Sequence, residues 1–157
     1  MRIGQGFDVH QVSADTTRVL RLGLVDIPGA PGLAGHSDAD VATHALCDAL
    51  LGAANLGDLG RHFPDTDESI RDVSSRELLE RTVALVAGAG LRTLSADVTI
   101  IAERPRLADL LTTMSERLSE VVGCPVSVKA TTTEGLGALG RVEGIGALAV
   151  ALADELS

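Results

Sequence analysis

Two hydrophobic periods alternate along this chain. Arg2–His10 alternates and reads as a short strand, with Gly4 and Gly6 marking close approach to a neighbouring element. Val19–Ile27 also alternates, but Gly23 sits in its middle, so a bent strand or a tight hairpin fits. Pro28–Gly35 (PGAPGLAG) is a loop by composition. Val41, Ala45, Leu46, Ala49 and Leu50 then recur at helical spacing. Ser37, Asp38 and Asp40 offer N-cap chemistry ahead of that helix, and Asn55 and Gly57 end it. Leu56–Asp67 is a loop dense in Asp and Gly. Ser74 and Glu77 form a capping box before a helix that stops at Gly90. Ser95–Ala102 is a strand, and Pro105 suits the first turn of a helix running to Val122, closed by Gly123. Pro125–Thr131 is a strand and Gly135–Gly140 a turn. Gly144–Ala153 reads both ways: Ala and Leu favour helix, whereas the alternation of Gly146, Leu148, Val150 and Leu152 favours a strand.

The pattern predicts an α+β fold, with a mixed sheet of about four strands and helices packed on one face. No linker or repeat divides the chain, so residues 1–157 are expected to form a single domain. The sheet's second face, if apolar, needs a cover, and oligomerisation is the natural means.

Composition narrows the function. With 45% hydrophobic residues the chain can bury a core. Thirteen basic against 22 acidic residues give a net charge of −9, and aromatics are limited to Phe7 and Phe63. Such a chain repels phosphate polymers and lacks stacking platforms, so nucleic-acid binding is not expected. A single phosphorylated ligand held through a metal remains open, because a divalent ion reverses the local field. Cys47 and Cys124 form no disulfide or zinc-ligand pattern. The N-terminus has no signal-peptide h-region and no uncharged stretch is long enough for a bilayer, so a cytoplasmic, non-membrane protein is expected.

Three clusters carry chemistry. In Asp8-Val9-His10 a strand turns Asp8 and His10 to one side. By itself that is commonly a hydrogen-bonded pair. His36-Ser37-Asp38-Ala39-Asp40-Val41-Ala42-Thr43-His44 adds two imidazoles at a helix start. The carboxylates there complement the helix N-terminus. His44, with Asp8 and His10, completes a two-His, one-carboxylate set of the kind that binds Zn²⁺ with an open fourth position. Asp58-Leu59-Gly60 and Phe63-Pro64-Asp65-Thr66-Asp67 read as turns and caps or as donors and acceptors for a polar ligand. Lys129–Gly137 brings three threonines, Glu134 and glycines together after a strand. That composition suits a phosphate-and-cation site, though a Thr run is also ordinary strand. Arg141 and Glu143 read as a surface ion pair.

These segments resemble the 2-C-methyl-D-erythritol 2,4-cyclodiphosphate synthase family along nearly the whole chain. The resemblance rests on GFDVH (Gly6–His10), HSDADVATHALCDALLGAANLGDLGRHFPDTD (His36–Asp67), SREL (Ser75–Leu78), DVTIIAERP (Asp97–Pro105), VKATTTEGLG (Val128–Gly137) and GRVEGI (Gly140–Ile145). It implies a homotrimer with the second sheet face at its centre and active sites between subunits. It implies conversion of a cytidine diphosphate substrate, 4-diphosphocytidyl-2-C-methyl-D-erythritol 2-phosphate, into the cyclic diphosphate and CMP. Asp8, His10 and His44 match the Zn²⁺ ligands, and Glu134 matches the ligand of a second ion, Mg²⁺ or Mn²⁺. His36 and Thr132 match residues that stabilise the transition state. Asp58, Leu59, Gly60, Phe63, Pro64, Asp65, Thr66 and Asp67 match the methylerythritol phosphate side, and Ser37 is also expected to bind substrate. Ala102, Glu103, Arg104, Pro105, Arg106, Thr131 and Thr133 match the nucleotide side. Arg141 resembles an arginine that lines the axial cavity or reaches the active site. Acidic Glu103 departs from the family pattern. Two other readings compete: a phosphoester hydrolase using the same ion to activate water, and a non-catalytic trimeric binding protein.

Overall fold

The computed structural model describes residues 1–64, 66 and 73–156. Four strands form the main sheet, β1 (Arg2–Gln11), β4 (Leu91–Ile101), β5 (Val126–Thr131) and β6 (Gly144–Glu155), in the order β1-β6-β4-β5. The pairs β1–β6 and β4–β6 are antiparallel and β4–β5 is parallel, so the sheet is mixed as predicted. A separate hairpin joins β2 (Val19–Leu22) to β3 (Val25–Pro31). Its turn has Gly23 and Leu24 both at positive φ, and it resolves the Val19–Ile27 alternative in favour of a hairpin. Because β3 runs to Pro31, the loop predicted from Pro28 begins later. The helices are α1 (Val41–Ala53), α2 (Leu59–His62), α3 (Ser75–Gly88), α4 (Leu111–Val122) and α5 (Gly137–Gly140). The single turns α2 and α5 lie inside segments expected to be loop and turn.

The segment that read both ways is the strand β6. Tertiary packing decides it: β6 lies between β1 and β4, and Ala147, Ala149, Ala151 and Ala153 are buried beneath the helical layer. The Pro105 expectation is corrected. The Arg104–Pro105 bond is cis, residues 108–110 form a turn, and α4 starts only at Leu111. Its C-terminus matches expectation, with Gly123 left-handed at φ 79°.

Helix α1 is mostly apolar and buried nearly all round, lying between the sheet and α3. Its approach to β1 is set by two glycines. A Cβ on Gly4 would lie 2.0 Å from the Ala49 carbonyl oxygen, and one on Gly6 would lie 1.9 Å from that of Ala45. Backbone therefore meets backbone, which no residue but glycine permits. Of the cap candidates, Asp40 is the N-cap of α1. Its carboxylate accepts from Thr43 N (3.1 Å) and Thr43 Oγ1 (2.7 Å), and also from the hairpin amides of Gly23 (2.9 Å) and Leu24 (2.8 Å). One buried side chain thus both starts the helix and anchors the hairpin. Ser74 caps α3 through Glu77 N at 3.2 Å, while the Glu77 carboxylate pairs with Arg81 one turn on.

The opposite sheet face is bare. Ile3, Phe7 and Val9 of β1 and Leu148 and Val150 of β6 are between 40% and 72% exposed. Phe7 faces Leu148 across the ladder, so these residues form one patch. No helix among the described residues is long and apolar enough to cross a membrane.

Candidate metal centre and phosphate loop

Gly4, Gly6, Asp8 and His10 share one face of β1, because strand side chains alternate. The first two glycines let α1 descend onto the strand, and the next two positions on that face carry ligating groups opposite His44 in the first turn of α1. Ligand atoms of Asp8, His10 and His44 all lie within 4.8 Å of one another. Asp8 Oδ2 is 3.1 Å from His10 Nε2 and 3.1 Å from His44 Nδ1.

The outer nitrogen of each ring is already engaged. His10 Nδ1 is 2.5 Å from the Ala34 carbonyl oxygen, which can only accept, so Nδ1 carries the proton. Gly35 leaves room for this ring: a Cβ there would sit 3.0 Å from His10 Cε1. His44 Nε2 is 3.1 Å from Ser75 Oγ and 3.3 Å from Ser37 Oγ. Two inward nitrogens and a carboxylate oxygen therefore converge, the arrangement in which partners outside the site orient imidazole ligands. Burial pushes the Asp8 carboxyl up, but the hydrogen bonds to His10 and His44 outweigh it and hold it well below the usual carboxylate range. The hydrogen bond to Asp8 in turn raises the His10 imidazole, against the effect of burial. Both shifts express the same demand for positive charge at this point. The three donors fit a divalent cation.

His36 is exposed, next to Ser37 at the rim of this cluster. Arg18 holds the same loop through the carbonyls of Gly35 (3.2 Å) and Ser37 (2.6 Å). Asp58 caps α2 by accepting from Arg61 N at 2.9 Å, and Leu59 N donates to Asp48 Oδ1 at 2.7 Å. Phe63 ends α2, and Pro64 and Thr66 are exposed. Asp65 and Asp67 lie outside the described residues.

The second cluster follows β4 and β5. Glu103 Oε1 accepts from Thr133 N (3.0 Å), Thr133 Oγ1 (3.3 Å) and Gly135 N (3.0 Å). Glu103 thus folds the loop onto itself. Thr132 Oγ1 accepts from Glu134 N at 3.2 Å, and Glu134 stands at φ 54°, its side chain exposed. Thr131, Arg104 and Arg106 are exposed, while Ala102 is buried and Pro105 partly so. Arg141 pairs with Glu143 at 2.6 Å, as the sequence suggests.

The two clusters occupy one end of the sheet but opposite edges. Val9, Gly146, Ile101 and Thr131 stand in one register row across β1-β6-β4-β5. Three interstrand steps of about 4.8 Å put the edge strands roughly 14 Å apart. Within one chain the metal centre and the threonine loop therefore do not meet.

A profile of the YgbB family matches residues 1–154. The chain belongs to the YgbB family. It is 49% identical to the 2-C-methyl-D-erythritol 2,4-cyclodiphosphate synthase of Syntrophomonas wolfei, over 99% of each chain. It is 52% identical to the synthase of Syntrophotalea carbinolica, over 99% of this chain and 95% of the relative. Among solved structures, the bifunctional IspDF of Campylobacter jejuni superposes with a TM-score of 0.93 at 38% identity, covering 99% of this chain and 42% of that one. A CDP-bound 2C-methyl-D-erythritol-2,4-cyclodiphosphate synthase gives a TM-score of 0.88 at 36% identity, covering 98% and 100%. These YgbB relatives agree with the resemblance carried by the sequence motifs.

Sequence reasoning grouped Asp8, His10 and His44, which the fold brings together, but not what holds them. Ser75 and Asp38 behind His44, Ala34 behind His10, and Arg18 behind the Ser37 loop carry no spacing signal, since each acts across a tertiary contact.

Proposed function

We propose that this YgbB-family chain converts 4-diphosphocytidyl-2-C-methyl-D-erythritol 2-phosphate to 2-C-methyl-D-erythritol 2,4-cyclodiphosphate and CMP. The observation that carries the reading is the convergence of Asp8, His10 and His44 in a chain matched end to end by named synthases. The CDP-bound relative supports a cytidine nucleotide as part of the ligand.

In this reaction a 2-phosphate oxygen attacks the β-phosphorus, a ring P–O bond forms, the P–O bond to CMP breaks, and no water is consumed. Both reacting ends belong to one molecule, so the protein's task is to fold the substrate and offset its charge. Asp8, His10 and His44 would hold Zn²⁺, and Glu134 would hold Mg²⁺ or Mn²⁺. Bound there, the ions neutralise phosphate charge and withdraw electrons from phosphorus. His36 and Thr132 donate hydrogen bonds where charge builds on the reacting phosphates. Ser37, Asp58, Leu59, Gly60, Phe63, Pro64, Asp65, Thr66 and Asp67 line the methylerythritol phosphate side. Ala102, Glu103, Arg104, Pro105, Arg106, Thr131 and Thr133 line the nucleotide side. Glu103 does so by shaping the threonine loop, and Arg141 serves the phosphate-loop side.

The chain acts as a single domain, residues 1–157, in a homotrimer. Two observations support the trimer. The bare apolar face needs a cover, and the two half-sites, on opposite sheet edges, become one site if a neighbour's β5 edge lies beside this chain's β1 edge. A head-to-tail contact of that kind closes into a ring. Free Cys47 and Cys124 fit a reducing cytoplasm.

The test is turnover of the named substrate in ¹⁸O-enriched water with Zn²⁺ and Mg²⁺. CMP and an unlabelled cyclic diphosphate are expected. A labelled linear product would establish the hydrolase instead.

A further inference from the structure

We propose that Arg18 is a positioning residue: its guanidinium fixes the backbone on both sides of His36 and so sets where that imidazole meets the substrate. The inference rests on the role given to His36 in the proposed reaction. His36 lies on a short span between two anchored points. Before it, Ser13 N donates to Gly32 O at 2.8 Å and Ala34 N to Gln11 O at 2.9 Å, which ties residues 32–34 to the end of β1. After it, Asp38 accepts from Ser75 N and Arg21 Nη1, and Asp40 caps α1. Gly35, in between, adds backbone freedom that these anchors do not remove. Arg18 removes it. Nη1 donates to Gly35 O at 3.2 Å and Nη2 to Ser37 O at 2.6 Å. One acceptor directly precedes His36, and the other belongs to the residue directly after it. The planar guanidinium presents its donors in a fixed fork, so both carbonyls must turn toward it and the arc of three residues keeps one shape.

Arg18 is anchored in its turn. Its amide donates to Asp15 O at 3.3 Å, and the Asp15 carboxylate closes the same turn by accepting from Thr17 N (2.9 Å) and Thr17 Oγ1 (2.6 Å). A Cβ on Gly32 would lie 2.7 Å from Arg18 Cβ. The missing side chain at 32 therefore lets the Arg18 stem lie against the loop that it braces. A lysine at position 18 keeps the charge but loses the fork.

The test compares the full-length wild type with Arg18→Met and Arg18→Lys. Arg18→Met should lower kcat on the named substrate about 10- to 100-fold, the cost of a misplaced group, and leave KM unchanged. Arg18→Lys should recover part of that loss. Zinc affinity, read by competitive titration, should not change, because the three donors sit on β1 and α1. In a His36→Ala background Arg18→Met should cost almost nothing further, since the residue it acts through is gone. Amide ¹⁵N relaxation should show residues 35–37 rigid in the wild type and mobile on the ps–ns timescale in Arg18→Met. Losses that multiply in the double variant, a rise in KM alone, zinc affinity that falls with the rate, or an unaltered span in a folded variant each overturn the proposal. Arg18→Lys carries the same measurements if Arg18→Met does not fold. A wild type that does not turn over the named substrate removes the proposed reaction instead, and relaxation still decides whether Arg18 orders the span.

Discussion

At the scale of single residues, the polar groups inside this chain do paired duty, and Asp38, which accepts from both Ser75 and Arg21, has a consequence for stability. Burial raises its carboxyl, while the Ser75 hydroxyl and amide and the Arg21 guanidinium lower it further than burial raises it. The folded value therefore lies below that of the unfolded chain, about 3.9. Between those two values the unfolded chain binds the extra proton, so stability rises with pH across that window. The contribution is complete above pH about 4 and disappears as pH falls through the folded value. Urea midpoints of the wild type and Asp38→Asn should thus differ at neutral pH and draw together in acid. A constant gap at every pH would remove Asp38 from this role. Little of this was legible beforehand. The DxH parity of Asp8 and His10 and the helical placement of His44 are local, and the sequence carries them. Ser75 is 31 residues from His44, and only tertiary packing makes them neighbours.

At the scale of elements, α1 on β1 is the contact that creates the site. The small residues Gly4, Gly6, Ala45 and Ala49 allow it, and the sequence announces it only as glycines close to something. Gly6→Ala places a methyl 1.9 Å from the Ala45 carbonyl oxygen, so the helix must withdraw. Overpacking of this kind costs about 1–3 kcal/mol or somewhat more. It also draws His44 away from Asp8, so metal affinity should fall alongside the melting temperature. Gly88 is the counterpart. It is exposed at the end of α3, and a methyl added there would meet nothing within 4 Å. Gly88→Ala should stabilise by a few tenths to about 1 kcal/mol through helix propensity, leaving metal affinity unchanged. Thermal melts with zinc titrations separate the two, and a neutral Gly6→Ala would refute the close-packing account. Where local propensity misled, packing explains why. An Ala-rich segment is helical by preference, but β6 is the strand whose small side chains admit α1. Pro105 suits a helix start, but the chain first turns through 103–105 to bring Glu103 under the threonine loop.

At the scale of the whole molecule, the two candidate clusters stand at opposite edges of one sheet. Strand pairing is invisible in a linear pattern, so the sequence places Asp8 and Thr132 in one proposed site without revealing that β6 and β4 stand between them. The register row from Val9 to Thr131 makes that separation explicit. If each working site joins the β1 edge of one copy to the β5 edge of the next, two inactive proteins should repair each other. His44→Ala destroys the metal edge and keeps the loop edge, while Thr132→Ala does the reverse. In a random equimolar trimer, a site works only when its metal edge comes from the Thr132→Ala copy and its loop edge from the His44→Ala copy. That is about one site in four for a ring of three head-to-tail contacts. Co-refolded mixtures should therefore recover about a quarter of wild-type turnover, although each variant alone is nearly inactive. Leu148→Glu, which puts a charge into the patch facing Phe7, should abolish the recovery by preventing assembly while leaving each chain folded. Sites contained within single chains would give no recovery at any mixing ratio, and the composite site would then be wrong even if the chemistry proposed for it were right.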